Sequence, residues 1–251
     1  MLYKLKDLSD YKLLSLDGEI GKVKEFYFDD HFWAIRYLVA DTGKWLSGRK
    51  VLISPYALKD VIKFSRDISV NLTERQIEDS PSIESEKPVS KQFEESYYGY
   101  YGWPSYWGSS NMWGTYPYMV RDPSLWRSEY STERTWDPNL RSTKYVSGHR
   151  IEANDGEIGH IDDFIVDDET WAIRYLVVDT RNWWPGKKVL ISPEWIDKMS
   201  WNDSKLSLKL SKAAIRQSPE YIEGFLPDRK YESDLYRHYN QKGYWETVQA
   251  A

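Results

Sequence analysis

The sequence predicts a mainly β protein made of two tandem small β-barrels, each with a short helical, aromatic-rich C-terminal extension. Three observations predict this fold. The seven residues WAIRYLV occur twice, at positions 33–39 and 171–177. A DGEIG segment precedes each copy, and a VLISP segment follows it at the same spacing. Between these segments apolar residues alternate with charged ones, as they do in half-buried strands. We therefore expect two copies of one fold, related by an internal pseudo-twofold axis.

A single offset of 138 residues aligns the two copies without a gap. Positions 17–55 and 155–193 are identical at 25 of 39 residues, so we expect one backbone conformation in both copies. A chain of 251 residues suits two domains of about 100 residues each. We predict a first repeat with its extension at 1–107, a connector at 108–138, and a second repeat with its extension at 139–251.

Each copy begins with an Asp-Gly hairpin signal. Asp17-Gly18 and its counterpart in the second copy separate two strand-like segments. Such a pair is typical of a type I′ turn, which needs positive φ at both central residues. The segments that follow, 20–28 and 158–166, alternate apolar and polar residues and predict strands.

The WAIRYLV segment predicts the next strand. Trp33 and Ile35 fall on one face, and Ala34 and Arg36 fall on the other. Both faces are mostly apolar, so we expect a strand that is covered on both sides. Arg36 and Arg174 interrupt this pattern and need a carboxylate or carbonyl partner. We predict structural ion pairs with the adjacent turn aspartates. The alternative is a ligand-binding arginine.

The remaining elements of each copy are short. A turn or brief helix is predicted at 56–61 and 194–199, and an alternating strand at 68–72 and 206–210. Thr73 and the matching serine in the second copy have the residue type and position of helix N-caps.

Residues from about 82 to 126 are rich in Ser, Tyr, Gly and Trp, as a linker would be. The repeat offset, however, pairs Tyr98 with Tyr236 and Trp107 with Trp245. The tract therefore predicts an ordered arm that packs on a barrel, with a helical turn or two at its start. The alternatives are a low-complexity adhesive segment and a platform for stacking nucleobases. Residues 96–114 contain no Lys or Arg, which disfavours the nucleobase platform.

Composition excludes several classes of function. The chain has no cysteine, which rules out disulfides, thiolate catalysis and cysteine-based metal sites. Its net charge of −5 predicts no general attraction to nucleic acid or anionic lipid. No apolar run has the length of a signal peptide or a membrane span, so we expect a cytoplasmic protein.

Motifs for catalysis are missing from the sequence. The four histidines are not spaced as metal ligands, and none recurs in the other copy. The aspartate pairs at 29–30 and 167–168 are oxygen donors of the kind that bind a divalent cation weakly, but turn chemistry already explains them. There is no phosphate-binding glycine loop and no nucleophile elbow. We predict no catalytic residue, no cofactor and no metal site, and hence no enzyme.

These residues resemble a known family. The run DGEIG, a strand ending in two aspartates, WAIRYLVVDT, GKKVLISP and a closing LSL strand is similar to the PRC-barrel domain. That domain is named for the H subunit of the photosynthetic reaction centre and is also found in the ribosome maturation factor family. The resemblance covers about 5–81 and 143–219, and the aromatic extensions look like those of stand-alone bacterial proteins with two such barrels. It implies small barrels of about six strands used mainly for protein–protein contact, and it carries over no catalytic residue.

The leading hypothesis is a non-catalytic interaction or assembly module that binds a protein partner or itself. The first alternative is a small-ligand or ion binder that uses a pocket between the barrels. The second is an accessory factor in RNA processing, although nucleic acid is disfavoured. The residues predicted to form the pocket or the interaction surface are Arg36, Arg174, Trp45, Trp183, Tyr98, Tyr101, Trp103, Trp107, Tyr236, Tyr239 and Trp245.

Overall fold

The protein is mainly β, with two sheets and several short helices, as the sequence predicts. The computed structural model describes residues 1–46, 49–81, 83–84, 89, 91–103, 139–180 and 187–246. Trp107, Trp183 and the predicted connector 108–138 lie outside these residues.

The described strands follow one another in nearly the same order in both copies. They are β1 (Leu2–Lys4), β2 (Lys12–Leu14), β3 (Glu19–Asp29), β4 (Ala34–Asp41), β5 (Arg49–Ile53), β6 (Leu58–Ile62), β7 (Asp67–Val70), β8 (Ile83–Glu84), β9 (Leu140–Ser142), β10 (Arg150–Ala153), β11 (Gly156–Asp167), β12 (Ile173–Asp179), β13 (Lys188–Ile191), β14 (Ile196–Ser200) and β15 (Lys205–Leu208). The described α-helices are α1 (Leu5–Leu8), α2 (Glu74–Glu78), α3 (Lys91–Tyr101), α4 (Thr143–Val146), α5 (Lys212–Gln217) and α6 (Arg229–His238). The segments predicted as a turn or helix are instead a 3-10 turn followed by a strand, β6 or β14.

The chain folds into two compact units. The first-copy unit contains Asp7–Thr143 and Thr170–Ala172. The second-copy unit contains Met1–Lys6, Lys144–Glu169 and Ile173–Ala251. Strand β1 therefore belongs to the unit built from the second copy, and β9 belongs to the unit built from the first. The repeat boundaries 1–107 and 139–251 stay a prediction.

Corresponding strands occupy corresponding places in the two sheets. The first-copy sheet has the order β6-β7-β2-β3-β4-β5-β8, with β9 paired to β3. The second-copy sheet, written in the same direction, has the order β14-β15-β10-β11-β12-β13, with β1 paired to β11. Strands β2 and β7 are parallel, as are β10 and β15, and the other pairs are antiparallel. Within the described residues each order has two end strands, so closure into barrels and the pseudo-twofold axis stay predictions.

The WAIRYLV strands are buried on both faces, as predicted. All residues of β4 except the last are buried. The strands nevertheless begin one or two residues later than predicted, at Ala34 and Ile173. The reason is that Trp33 and Trp171 adopt left-handed conformations, with φ of 54° and 55°. This conformation strains a bulky residue by about 1–3 kcal/mol, so the surrounding structure must hold both tryptophans in place.

The Asp-Gly segments form hairpins between β2 and β3 and between β10 and β11. The predicted type I′ turn is wrong in both copies, because neither Asp17 nor Asp155 has positive φ. Asp17 instead accepts a hydrogen bond from the backbone N–H of Glu74, at 2.8 Å. Its carboxylate thus joins the hairpin to the start of α2. Thr73 caps that helix as predicted, with its side chain accepting from the N–H of Gln76.

Gly21 permits a close backbone approach between β3 and the end of β4. Its φ is +129°, and a Cβ at this position would lie 2.1 Å from the carbonyl oxygen of Asp41. Gly159 repeats this geometry in the second copy, with φ of +151° and 2.0 Å to the oxygen of Asp179. The second glycine of DGEIG is therefore required by the pairing of adjacent strands.

We predict that Gly21→Ala destabilises the protein by about 2–4 kcal/mol, because the methyl group clashes with a backbone atom and the φ is unfavourable. Gly43→Ala is the matched control. Gly43 also has positive φ, +59°, but a Cβ there meets nothing within 4 Å. We expect this control to cost about 1 kcal/mol. Urea unfolding of both variants measures the difference, and equal losses would contradict the proposed clash.

Candidate functional site

The aromatic extension of the first copy packs on its own unit through helix α3. Tyr97 and Tyr98 are 1% and 2% exposed. The Tyr97 hydroxyl donates to the carbonyl oxygen of Leu52 at 2.9 Å and accepts from the N–H of Ser54 at 3.1 Å. The hydroxyls of Tyr98 and Ser54 lie 3.4 Å apart. The extension therefore binds the end of β5, where the Ser-Pro sequence stops the strand.

A buried glutamate joins each extension to the WAIRYLV strand of its unit, β4 or β12. Glu94 is fully buried, and the Tyr37 hydroxyl donates to its Oε1 at 2.9 Å. In the second copy, Tyr175 and Tyr244 both donate to Oε1 of Glu232 at 2.8 Å. The sequence contains one signal for these buried glutamates, because a glutamate recurs at the same repeat position within two aromatic segments. The sequence prediction assigned it no role.

The buried phenols act as neutral hydrogen-bond donors. Burial raises the pKa of Tyr97, Tyr98 and Tyr236 well above the ordinary value for tyrosine. Burial likewise raises the pKa of Tyr101 and of Tyr239 to about 12. Each hydroxyl therefore keeps its proton at neutral pH and is not prepared for proton transfer.

The outer rings of the extensions form clusters of aromatic contacts. Tyr101 and Trp103 stack with ring centroids 4.4 Å apart, and Trp103 also stacks on Tyr56. In the second copy, Tyr239 contacts Trp195 at 4.6 Å, and Trp245 contacts the ring of Tyr236 at 5.1 Å. The predicted surface residues of the extensions that the structure describes thus pack within their units. Their role in binding a partner stays a prediction.

The two arginines form the predicted ion pairs. Arg36 is completely buried, and its Nη2 lies 3.2 Å from Oδ2 of Asp29. Its guanidinium also covers the ring of Phe32 at 5.3 Å. Arg174 lies 3.1 Å from Oδ2 of Asp167. Burial opposes the charge of Asp167, yet the nearby Arg174 holds the pKa of that carboxyl below its usual value. Each arginine is therefore held by a carboxylate of its own unit, and its role in a pocket or interaction surface stays a prediction.

The ring of Tyr244 covers the guanidinium of Arg174 at 4.1 Å. The side chain of Arg174 is consequently only 13% exposed. This contact joins the C-terminal extension to the ion pair, and Tyr244 also binds the buried Glu232. The Tyr244 side chain thus contacts both Arg174 and Glu232.

A surface cavity of about 660 Å³ lies beside Trp45 in the first-copy unit. Lys22, Lys24 and Asp41 line it together with the strand glycine Gly21. Trp45 is 36% exposed, so part of its indole ring is available to a ligand. Arg36 does not line this cavity, and Trp183 falls outside the described residues.

Large apolar side chains are exposed on two loops. Phe64 is fully exposed and Ile62 is 43% exposed at the turn between β6 and β7. In the second copy, Ile222 and Phe225 are 61% and 72% exposed after α5. Phe64 is not among the surface residues that the sequence predicts. The available signal was a break in the repeat, because the matching position holds the polar residue Asn202.

In the part of the chain that the structure describes, no group of three or more His, Asp or Glu residues is arranged to hold a metal ion. Over the same residues, no helix has the length and apolar character needed to cross a membrane.

Comparison with known proteins assigns neither a family nor a function, because the chain matches no family model and no curated protein.

We predict that Tyr37→Phe destabilises the protein by about 1–3 kcal/mol, because the buried carboxylate of Glu94 loses a donor. Tyr100→Phe is the matched control. Tyr100 donates to the carbonyl oxygen of Gln76 at 3.1 Å, but its side chain is 43% exposed, so water replaces the lost bond. We expect a change within about 0.5 kcal/mol for this control. Thermal or urea unfolding checks both values, and a neutral Tyr37→Phe would show that Glu94 does not depend on this bond.

Proposed function

We propose that this protein is a non-catalytic protein–protein interaction or assembly module built from two PRC-type barrels. The resemblance of the repeated segments to that domain supports the family. The sequence lacks nucleophile, phosphate-loop and dinucleotide motifs, which supports a role other than catalysis. The buried tyrosines of the extensions are already used for internal packing, so we assign the contact surface to exposed loops.

The exposed pair Ile62 and Phe64 carries this proposal. A phenylalanine that is 101% exposed at a hairpin turn contributes nothing to the interior of its unit. Burial of such a side chain in a complex contributes about 1.5–3 kcal/mol. A few aromatic side chains of this kind commonly supply most of the energy of an interface. The matching position of the second copy holds the polar residue Asn202. The apolar surface at this turn therefore belongs to the first-copy unit.

The test is a comparative pull-down with the full chain as bait. We expect Ile62→Ser/Phe64→Ser to lose a partner that the unchanged chain retains from a lysate of the source organism. The expected loss in affinity is at least tenfold, because two apolar side chains are removed from the interface.

Asn202→Ala is the matched control, since it alters the same turn of the other copy without removing an apolar group. Retention of the same partners by the double variant would contradict the assignment of the surface to this turn. Unfolding curves of all three proteins show whether the variants remain folded.

A second candidate function is the binding of a small polar ligand beside Trp45. The observation that favours it is the open cavity, which places an indole face next to both lysine and aspartate side chains. An aromatic face with a few polar groups around it is typical of sites for small polar molecules.

We expect a ligand of this site to raise the melting temperature of the unchanged chain but not that of Trp45→Ala. A metabolite panel screened by thermal shift provides the measurement, followed by calorimetry for each compound that responds. Lys59→Ala serves as the control, because Lys59 is exposed and lies outside the cavity lining. A compound that stabilises the unchanged chain and Trp45→Ala equally would place its binding elsewhere.

A further inference from the structure

The cavity beside Trp45 is built on a β-bulge. Strand β3 has one residue more than β4 between the pairs at Val23 and Glu25, and the extra residue is Lys24. A bulge turns a side chain away from the regular alternation of a strand, and bulges are common beside active sites. Lys24 is exposed and lines the cavity, as Lys22 of the same strand does. Two lysines of one strand therefore line the cavity at the bulge.

Acidic side chains line the same cavity. The carboxylate of Glu19 is neutralised by Lys12 at 3.0 Å. Asp41 lies opposite Lys22 in the pairing of β3 with β4, and its carboxylate accepts a hydrogen bond from a backbone N–H of its own turn at 3.0 Å. Asp10 lies in the turn before β2, and both aspartates are exposed. The cavity therefore presents carboxylates as well as ammonium groups.

The unpaired charges of the cavity balance one another. Among the residues that the structure describes, neither the two lysines nor the two aspartates of the lining form an ion pair. A ligand with a single charge would be attracted by one of these sets and repelled by the other, whereas a zwitterion satisfies both. The indole ring of Trp45, which is 36% exposed, adds an apolar face on which a ring can pack.

The second copy has the same bulge with the opposite charge. Its extra residue is Asp162, which lies 2.6 Å from the ammonium group of Lys6 and 2.9 Å from that of Lys188. The second-copy unit thus neutralises this position with its own side chains. Asp179, which matches Asp41, is only 1% exposed. The set of open charges therefore belongs to the first-copy unit.

From this arrangement we propose that the cavity beside Trp45 binds an aromatic α-amino acid. The two lysines bind its carboxylate, the two aspartates bind its ammonium group, and the indole packs on its ring. A cavity of about 660 Å³ is within the size range of small-molecule sites. This inference rests on the small-ligand function proposed above for the same cavity and names the class of that ligand. It does not depend on the surface at Ile62 and Phe64.

The test is a titration of the ¹⁵N-labelled full chain with three probes. L-Phenylalanine carries both charges, 3-phenylpropionate lacks the ammonium group, and phenethylamine lacks the carboxylate. The indole N–H signal of Trp45, assigned from its loss in Trp45→Phe, reports binding at this cavity in ¹H–¹⁵N spectra. We expect an affinity for phenylalanine about tenfold higher than for either analogue, because each analogue leaves one set of charges without a partner.

Two variants separate the roles of the charges. We expect Lys24→Asp to weaken the binding of phenylalanine and phenylpropionate by about tenfold without weakening that of phenethylamine. Asp162 occupies the matching position, so an aspartate fits the bulge. Asp41→Asn keeps an oxygen acceptor for the N–H of Gly43, and it should weaken phenylalanine and phenethylamine but not phenylpropionate. Lys59→Asp makes the same charge change as Lys24→Asp at an exposed position outside the cavity, and it should alter none of these affinities.

The outcomes separate this inference from the small-ligand function on which it rests. An analogue that shifts the Trp45 signal with the same affinity as phenylalanine would overturn the zwitterion and leave the small-ligand function in place. An unchanged Trp45 signal with all three probes would overturn the inference, and the metabolite panel would then decide the small-ligand function separately. Equal losses in Lys24→Asp and Lys59→Asp would overturn the role of the cavity lysines, because they would assign the effect to net charge. Unfolding curves check that each variant remains folded.

Discussion

A buried glutamate in each aromatic helix fixes the position of that helix on the WAIRYLV strand of its unit, β4 or β12. Removing a carboxylate from water is costly unless hydrogen bonds or a cation compensate for it. Tyr37 compensates Glu94 in the first copy, and Tyr175 and Tyr244 compensate Glu232 in the second, with Arg229 3.0 Å from its other oxygen. Since these tyrosines project from rigid strands or packed loops, the helix has few alternative positions. The stacked rings around it then follow from its placement.

This constraint changes where a partner can bind. The sequence contains far more tyrosine and tryptophan than a small core needs, which suggested aromatic surfaces on the extensions. The structure uses Tyr97, Tyr98 and Tyr236 as interior groups that satisfy backbone and serine hydroxyl groups near the Ser-Pro turns. Phe64, Ile222 and Phe225 are exposed instead on loops, and the position that matches Phe64 in the second copy holds the polar residue Asn202. Divergence between the copies, rather than their identity, therefore marks the surface that we assign to interaction.

Strands β1 and β9, with the residues that follow them, show how a duplicated sequence can still specify one pairing. Two copies with identical segments here would have no preference between pairing within a copy and pairing across copies. Thr143 stands where the first copy has Leu5, and its hydroxyl hydrogen-bonds both backbone groups of Phe26. The opposite arrangement would leave those backbone groups without this partner.

The sequence by itself determined the β class, the tandem repeat, the burial of WAIRYLV, the Arg36–Asp29 ion pair and the N-cap at Thr73. These features follow from periodicity and from groups close together in the chain. Only the tertiary structure decided the left-handed conformation of Trp33, the backbone N–H that donates to the Asp17 carboxylate, the burial of Glu94, and the pairing of β1 and β9 with strands of the other sequence copy. Each of these depends on groups brought together from distant parts of the chain, and pairing energies between such groups leave no periodic trace in the sequence.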